Sequence, residues 1–295
     1  MRPYHGVVVA ISHRVKWMLS CYTYPRFRPK NMTTRTSFLT TAIALVSTFG
    51  LASLPQANAQ VIYATPGLAY FENFSHPTLS SGSISSGKVL EWRDNDTFRG
   101  WFAAYYDGLK DVYDTPDLLM VSEGRSRPEI AFYLYRTLKA PSDGALGAQP
   151  SDQRSPGPRA GGTFYGVYIT NATTATLTRL SLSYRVELYR LASAPNTRQT
   201  TLRVSWRIGG ESLGEGTWKN IPDSDYTTPL ESSGGDAGQN VDGNAEPHAT
   251  TFALLTAPGL VLAPGQRLWL RWFDVNNGGV DHGIGLDDVS ITLSP

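Results

Sequence analysis

Residues 180–189 read LSLSYRVELY. Leu180, Leu182, Tyr184, Val186 and Leu188 alternate with Ser181, Ser183, Arg185, Glu187 and Tyr189. Successive strand side chains point to opposite faces, so a period of two buries one face and wets the other. The pattern repeats outward from this stretch. Leu202, Val204, Trp206 and Ile208 alternate with Thr201, Arg203, Ser205 and Arg207, and Val289, Ile291 and Leu293 alternate with Ser290, Thr292 and Ser294. Further strands are expected at 68–74, 101–106, 130–136, 163–170, 250–256 and 267–273. No window has the 3.6-residue period of an amphipathic helix. Turn signals separate the runs at Gly209-Gly210, Pro258-Gly259, Pro264-Gly265 and Asn277-Gly278-Gly279. Residues 141–162 and 227–248 read as long Gly-, Pro- and Ser-rich loops. The expected fold is all-β, a two-sheet antiparallel, jelly-roll-like sandwich with long loops.

The chain has 295 residues, a formal charge of +1 and one cysteine. Those totals hide a division. Residues 33–59, TTRTSFLTTAIALVSTFGLASLPQANA, carry Arg35, an apolar run from Phe38 to Leu54, and small residues at Ala57 and Ala59 before Gln60. This is the pattern of a secretory signal peptide cleaved near Ala59-Gln60. The competing reading is a membrane anchor, but the run is short for a span and contains Thr, Ser and Gly. Met32 is the expected start, which makes 1–31 an over-extended gene start and 32–59 the signal peptide. The single domain expected is then 60–295. Seven of the 26 basic residues and none of the 25 acids precede residue 60, leaving a formal charge of −6. The only cysteine, Cys21, is also lost. Thiol catalysis and Cys-zinc sites are excluded for 60–295, and the charge gives no support to nucleic-acid binding. The expected location is extracellular or periplasmic, with no membrane association after cleavage.

Four strings in the second half carry a resemblance: YGVYITNATTATLTRLSLSY (165–184), SLGEGTWKNIP (212–222), VDGNAEPH (241–248) and APGQRLWLRWFDVNNGGVDHGIGLDDVSIT (263–292). Together they resemble a group of secreted bacterial β-sandwich domains with a GTW segment, a LDGN segment and a terminal LWLRW-D-N--G-DHG-----DD-S-T segment. That group is similar in a central strand as well: a glutamate two residues before an aromatic and then Arg, here Glu187, Tyr189 and Arg190. More distantly, FENF (71–74) and LDDVSIT (286–292) look like carbohydrate-binding jelly rolls and MAM-type sandwiches. In many of those, a first-strand Glu and a last-strand Asp share a structural Ca²⁺. The resemblance therefore implies Ca²⁺ held by Glu72 with Asp287 or Asp288. Ca²⁺ takes six to eight oxygen ligands, and strict alternation leaves the choice between the two aspartates open.

Asp274-x-Asn276-Asn277-Gly278-Gly279-x-Asp281 is acidic and glycine-bent, but positions 5 and 12 of an EF-hand loop fall on Gly278 and Gly285. A hairpin loop whose Asp and Asn cap their own backbone accounts for it. His282 has no activated nucleophile or G-x-S-x-G elbow to serve and is expected to bond loop backbone. His76, His248 and His282 lack metal-ligand spacing. Glu187 lies mid-strand with Arg185, Tyr189 and Arg190. The plainer account of them is an Arg–Glu ion pair across the face; the functional one is that, beside the Arg203/Arg207 face, they form an open, polar, aromatic, sugar-binding surface. The expected function is a non-catalytic glycan-binding or adhesive scaffolding module for a glycan or cell-surface polymer. A secreted hydrolase would instead need two carboxylates converging in a deep pocket, and a purely structural surface protein would need no site.

Overall fold

The computed structural model describes residues 60–75, 87–157, 160–193, 199–229, 238–278 and 281–295. The signal peptide, the start at Met32, Cys21 and His76 lie outside them. The described residues all belong to one compact unit, Leu54–Pro295. They contain seventeen strands and no α-helix. The first six are β1 (Val61–Tyr63), β2 (Tyr70–Glu72), β3 (Lys88–Glu91), β4 (Trp101–Asp107), β5 (Val112–Asp114) and β6 (Leu118–Ser122). Then come β7 (Phe132–Tyr135), β8 (Ala145–Ala148), β9 (Gly162–Asn171), β10 (Arg179–Leu191), β11 (Thr201–Ile208) and β12 (Lys219–Asn220). The last are β13 (Tyr226–Thr227), β14 (Gln239–Asn240), β15 (Ala249–Leu255), β16 (Arg267–Val275) and β17 (Gly283–Ser294).

Two sheets face each other. Sheet 1 has the order β12-β11-β16-β9-β4-β5, with β1 beside β9 and β13 beside β11. Sheet 2 has the order β14-β10-β17-β8-β7-β6-β3, with β15 beside β10 and β2 beside β17. The fold is the expected all-β sandwich. It departs from pure antiparallel pairing at two places, since β1 with β9 and β6 with β7 are parallel. The stretches read as long loops also contain short strands, β8 in one and β14 in the other.

The alternating apolar residues meet between the sheets. Leu180, Leu182, Tyr184 and Val186 of β10 face Val204, Trp206, Leu270 and Trp272 of sheet 1 in one continuous core. Trp272 stacks on Trp101 at 5.6 Å within sheet 1 and meets Tyr184 of sheet 2 edge-on at 5.6 Å. Each large apolar side chain buried here contributes about 1.5–3 kcal/mol relative to exposure. Tyr63 ties the ends of the unit together: its hydroxyl donates to Leu293 O at 2.9 Å and accepts from Leu293 N–H at 2.8 Å.

One irregularity decides where the acids go. Ser183 pairs with Ser290 but Arg185 pairs with Asp287, so β17 carries one extra residue. That residue is Asp288, exposed and in the left-handed region at φ 50°. A bulge of this kind resets side-chain phase. Ile284 and Leu286 face the core before it, and Val289, Ile291 and Leu293 after it. Strict alternation had placed Asp287 on the face of Val289. The bulge sends it to the opposite, outer face.

Candidate functional site

The outer face of sheet 2 carries the residues marked in the central strand, but that face is closed. Glu187 and Tyr189 are 1% and 0% exposed. Tyr189 stacks on Tyr135 at 4.9 Å, and Tyr135 stacks on Tyr133 at 5.1 Å. The segment after β14 lies over this ladder. Gly243 sits so close that an added Cβ would fall 2.8 Å from the Tyr189 ring. The open surface expected for Glu187 and Tyr189 is therefore not formed, because a loop fills the space beside the strand. Arg185 and Arg190 reach partway to solvent and hold that loop. Arg185 Nη2 donates to Asn244 O at 2.8 Å, and Arg190 Nη1 donates to Gly124 O and Asn240 Oδ1 at 3.0 and 3.1 Å. The Arg203/Arg207 face is also elsewhere. β10 and β11 belong to different sheets, so their polar faces point out of opposite sides of the sandwich.

Beneath the loop lies a buried carboxyl network. Tyr189 OH donates to Glu187 Oε2 at 2.6 Å and lies 3.0 Å from Asn244 Oδ1. Asn244 Nδ2 donates to Asp143 Oδ2. Glu187 Oε1 is 3.0 Å from Arg185 Nε, an ion pair not aligned as a hydrogen bond. Burial pushes the Glu187 carboxyl up to about 7, against the lowering effect of Tyr189 and Arg185. Asp287 is 2% exposed and its Oδ1 meets no protein donor. Burial and the nearby Glu187 push it up to about 9. Asp143 and Asn244 were not marked in the sequence; both sit in loops whose approach to β10 only the fold reveals. A cleft of about 300 Å³ opens beside the network, lined by Glu123, Thr137, Lys139 and Asp242 among others, but not by Glu187 or Asp287.

The acids expected to hold Ca²⁺, Glu72 with Asp287 or Asp288, do not share one face of the sheet. Glu72 pairs with Val289 and shares its inner side, where Oε1 accepts from Phe74 N–H at 2.9 Å. Asp287 lies on the outer face, and Asp288 is exposed at the bulge. Among the described residues no group of three or more His, Cys, Asp or Glu side chains converges on a metal position. Of the residues expected to cap the 274–281 loop, Asn276 Oδ1 accepts from Gly278 N–H at 2.8 Å and the Asp281 carboxylate receives Asn277 N–H at 3.2 Å, whereas Asp274 belongs to β16 and caps nothing. His282 Nδ1 accepts from the backbone N–H of Ala192 at 3.2 Å, the backbone role expected of it.

The outer face of sheet 1 is built differently. Alternation sends Phe102, Phe164, Tyr168, Trp269 and Phe273 outward, and the segment 209–218 folds across them. Two arginines fix that segment. Arg271 Nη1 donates to Leu213 O at 2.6 Å, and its guanidinium lies 3.8 Å from the Trp218 ring centre and 4.3 Å from that of Phe164. Arg207 donates to Glu215 O at 2.5 Å and to Ser212 O, and stacks 4.7 Å from Trp218. The propped segment walls a cleft of about 320 Å³. Phe102 and Tyr113 give it aromatic surface; Asp94, Asp114, Glu211 and Ser212 give it acceptors and a hydroxyl. Tyr113 stacks on Tyr106 at 4.7 Å and stays 37% exposed. Asp94 is anchored by Trp92 Nε1 and Ala103 N–H at 2.8 and 2.9 Å. None of these lining residues had been singled out as a site in the sequence, because Tyr113 and Asp114 sit on a three-residue edge strand with no period to read.

No family model matches this chain, and no curated protein matches it. Solved structures with a likeness include the K1 cleaved adhesin domain of Lys-gingipain from Porphyromonas gingivalis W83. It is 13% identical, covering 78% of this chain and all of that one, with a TM-score of 0.28. A carbohydrate-binding module specific for non-crystalline cellulose, CBM28, is 11% identical over 58% of this chain and 86% of its own, with a TM-score of 0.28. The Stig cyclase Fisc from Fischerella sp. TAU is 16% identical over 66% and 85%, with a TM-score of 0.29. At these scores the likeness carries no functional inference.

Proposed function

We propose that this chain is an exported, non-catalytic glycan-binding protein whose binding site is the cleft on the outer face of sheet 1. One observation carries the reading: a preformed cleft with an aromatic wall and convergent acceptors, held open by Arg207 and Arg271. Sugar rings present apolar C–H faces and a rim of hydroxyls, which aromatic faces and carboxylate acceptors satisfy together. The signal-peptide pattern of residues 33–59 supports export. The buried pair Glu187 and Asp287 does not favour hydrolysis, since the loop through Gly243 and Asn244 lies between it and solvent. We read Glu187, Tyr189, Arg185 and Arg190 as the residues that seat this loop.

Glycan-array binding of the full chain tests the proposal. Tyr113→Ala should abolish the signal and leave the melting temperature within a few degrees. Tyr189→Ala, which empties a buried position, should lower the melting temperature instead. Binding unaffected by Tyr113→Ala, or absent from the wild-type protein, overturns the assignment.

A further inference from the structure

At one end of the sandwich, between the sheets, lies a set of oxygens with no protein partner. Asp274 is in phase with Leu268, Leu270 and Trp272, so its carboxylate points into the interior, where it is 0% exposed. Neither of its oxygens meets a hydrogen-bond donor. Its cross-strand neighbour on β9 is Thr163, in phase with Tyr165, Val167 and Ile169. Thr163 Oγ1 and Tyr165 OH are buried and unpartnered as well. From sheet 2, Gln149 reaches the same end: its Nε2 donates to Asp281 O at 2.8 Å, which leaves its buried Oε1 without a donor. Asp281 is 1% exposed, and its charge acts on Asp274.

We propose that Asp274, Thr163, Tyr165, Gln149 and Asp281 form a binding site for a hard divalent cation, Ca²⁺, that locks the two sheets together at this end. The donor set is wholly oxygen: two carboxylates, an amide oxygen and two hydroxyls. That is Ca²⁺ chemistry, not the nitrogen- and sulfur-rich environment of zinc. The hydroxyls flank Asp274 on β9, as a cross-strand and a diagonal neighbour, yet do not bond it. A cation between them satisfies all of these oxygens at once. Burial, and after it the charge of Asp281, disfavour the ionised form of Asp274. A buried carboxylate without donor or counter-ion is unfavourable, and a bound cation offsets that cost. This site shares no residue with Glu72, Asp287 and Asp288 and is independent of the glycan reading.

The test uses Ca²⁺ alone on the full chain after EDTA treatment and buffer exchange. Titration calorimetry should show one site. Ca²⁺ at about a hundredfold excess over Kd should raise the melting temperature by roughly 5–10 °C. Terbium should bind in its place with emission sensitised by Trp272 and Tyr165. Asp274→Asn should abolish all three effects while remaining folded in EDTA, since it removes the buried charge. Should Asp274→Asn fail to fold, Thr163→Val removes one oxygen at constant shape and should weaken Kd about tenfold. Asp287→Asn and Glu72→Gln should leave Ca²⁺ binding unchanged. The proposal is overturned if the metal-free protein shows no calcium response, if Thr163→Val binds as wild type, or if Glu72→Gln or Asp287→Asn abolishes binding. A wild-type protein indifferent to Ca²⁺ and an Asp274→Asn variant of higher stability would mean that only water or a proton fills the site.

Discussion

Asp287→Asn isolates the electrostatic cost of the buried carboxyl network with almost no change of shape. Asp287 has an ordinary value of 3.8 and about 9 in the folded protein, raised by burial and then by Glu187. The folded state therefore holds a proton that the unfolded chain has released. Stability from a raised carboxyl is fully present below about pH 4 and drains away as pH rises towards 9. One proton is worth about 1.4 kcal/mol per pH unit. The stability difference between Asp287→Asn and wild type should thus grow in favour of the variant by about 1.4 kcal/mol per unit from pH 5 to pH 8. That is about 4 kcal/mol in total. Any constant packing penalty shifts this line without changing its slope. Urea unfolding of both proteins at half-unit pH steps measures it. Glu187→Gln should give the same slope over a narrower window, from 4.5 to about 7. A difference that stays flat with pH would mean Asp287 is ionised in the folded protein, and the account of the closed face would fail.

Two further predictions concern backbone positions. Gly147 pairs with Gly285 across β8 and β17, and an added Cβ would lie 1.9 Å from Ile284 O; Gly147→Ala should cost about 3 kcal/mol or more, read by urea unfolding. Asp288 occupies φ 50°, so Asp288→Val should cost about 1–2 kcal/mol while Asp288→Gly stays within about 0.5 kcal/mol. Equal effects of the two replacements would argue against the bulge.

β10, β11 and β17 were legible because each alternates apolar core residues with polar ones. Trp206 falls in the core as its phase requires, while β9 and β16, expected as strands, are apolar on both faces, and of Trp269 and Trp272 it is Trp272 that joins the central core. β6 and β8 were not legible. LLMV and ALGA are buried on both faces and show no alternation, and β8 follows a Pro- and Gly-containing segment that reads as loop. The acids at 287 and 288 show a different limit. A bulge adds one residue without any change of composition, so alternation counted from Val289 assigns Asp287 to the wrong face. Pairing with β10 alone reveals the slip. Asp274 was read as one of several loop-capping acids. Its actual position follows from the phase of Leu268, Leu270 and Trp272, which was present in the sequence and extends one step further than the strand had been drawn.

The outer faces of the two sheets are both aromatic and both crossed by a loop. What separates them is the side chain at the contact. Over sheet 2 the crossing residue is Gly243, and with no Cβ its backbone settles against the Tyr189 ring. Nothing remains between loop and sheet except the hydrogen bonds of Glu187, Tyr189 and Asn244. Over sheet 1 the corresponding layer is a guanidinium. Arg271 is sandwiched between Trp218 of the loop and Phe164 of the sheet, and Arg207 braces the same ring. A planar cation stacked between two rings holds them apart at a fixed spacing and is rigid where a longer aliphatic prop would not be. The loop is thereby lifted off the aromatic surface, and the gap it leaves against Phe102 and Tyr113 is the cleft. Glycine closes one face and arginine opens the other.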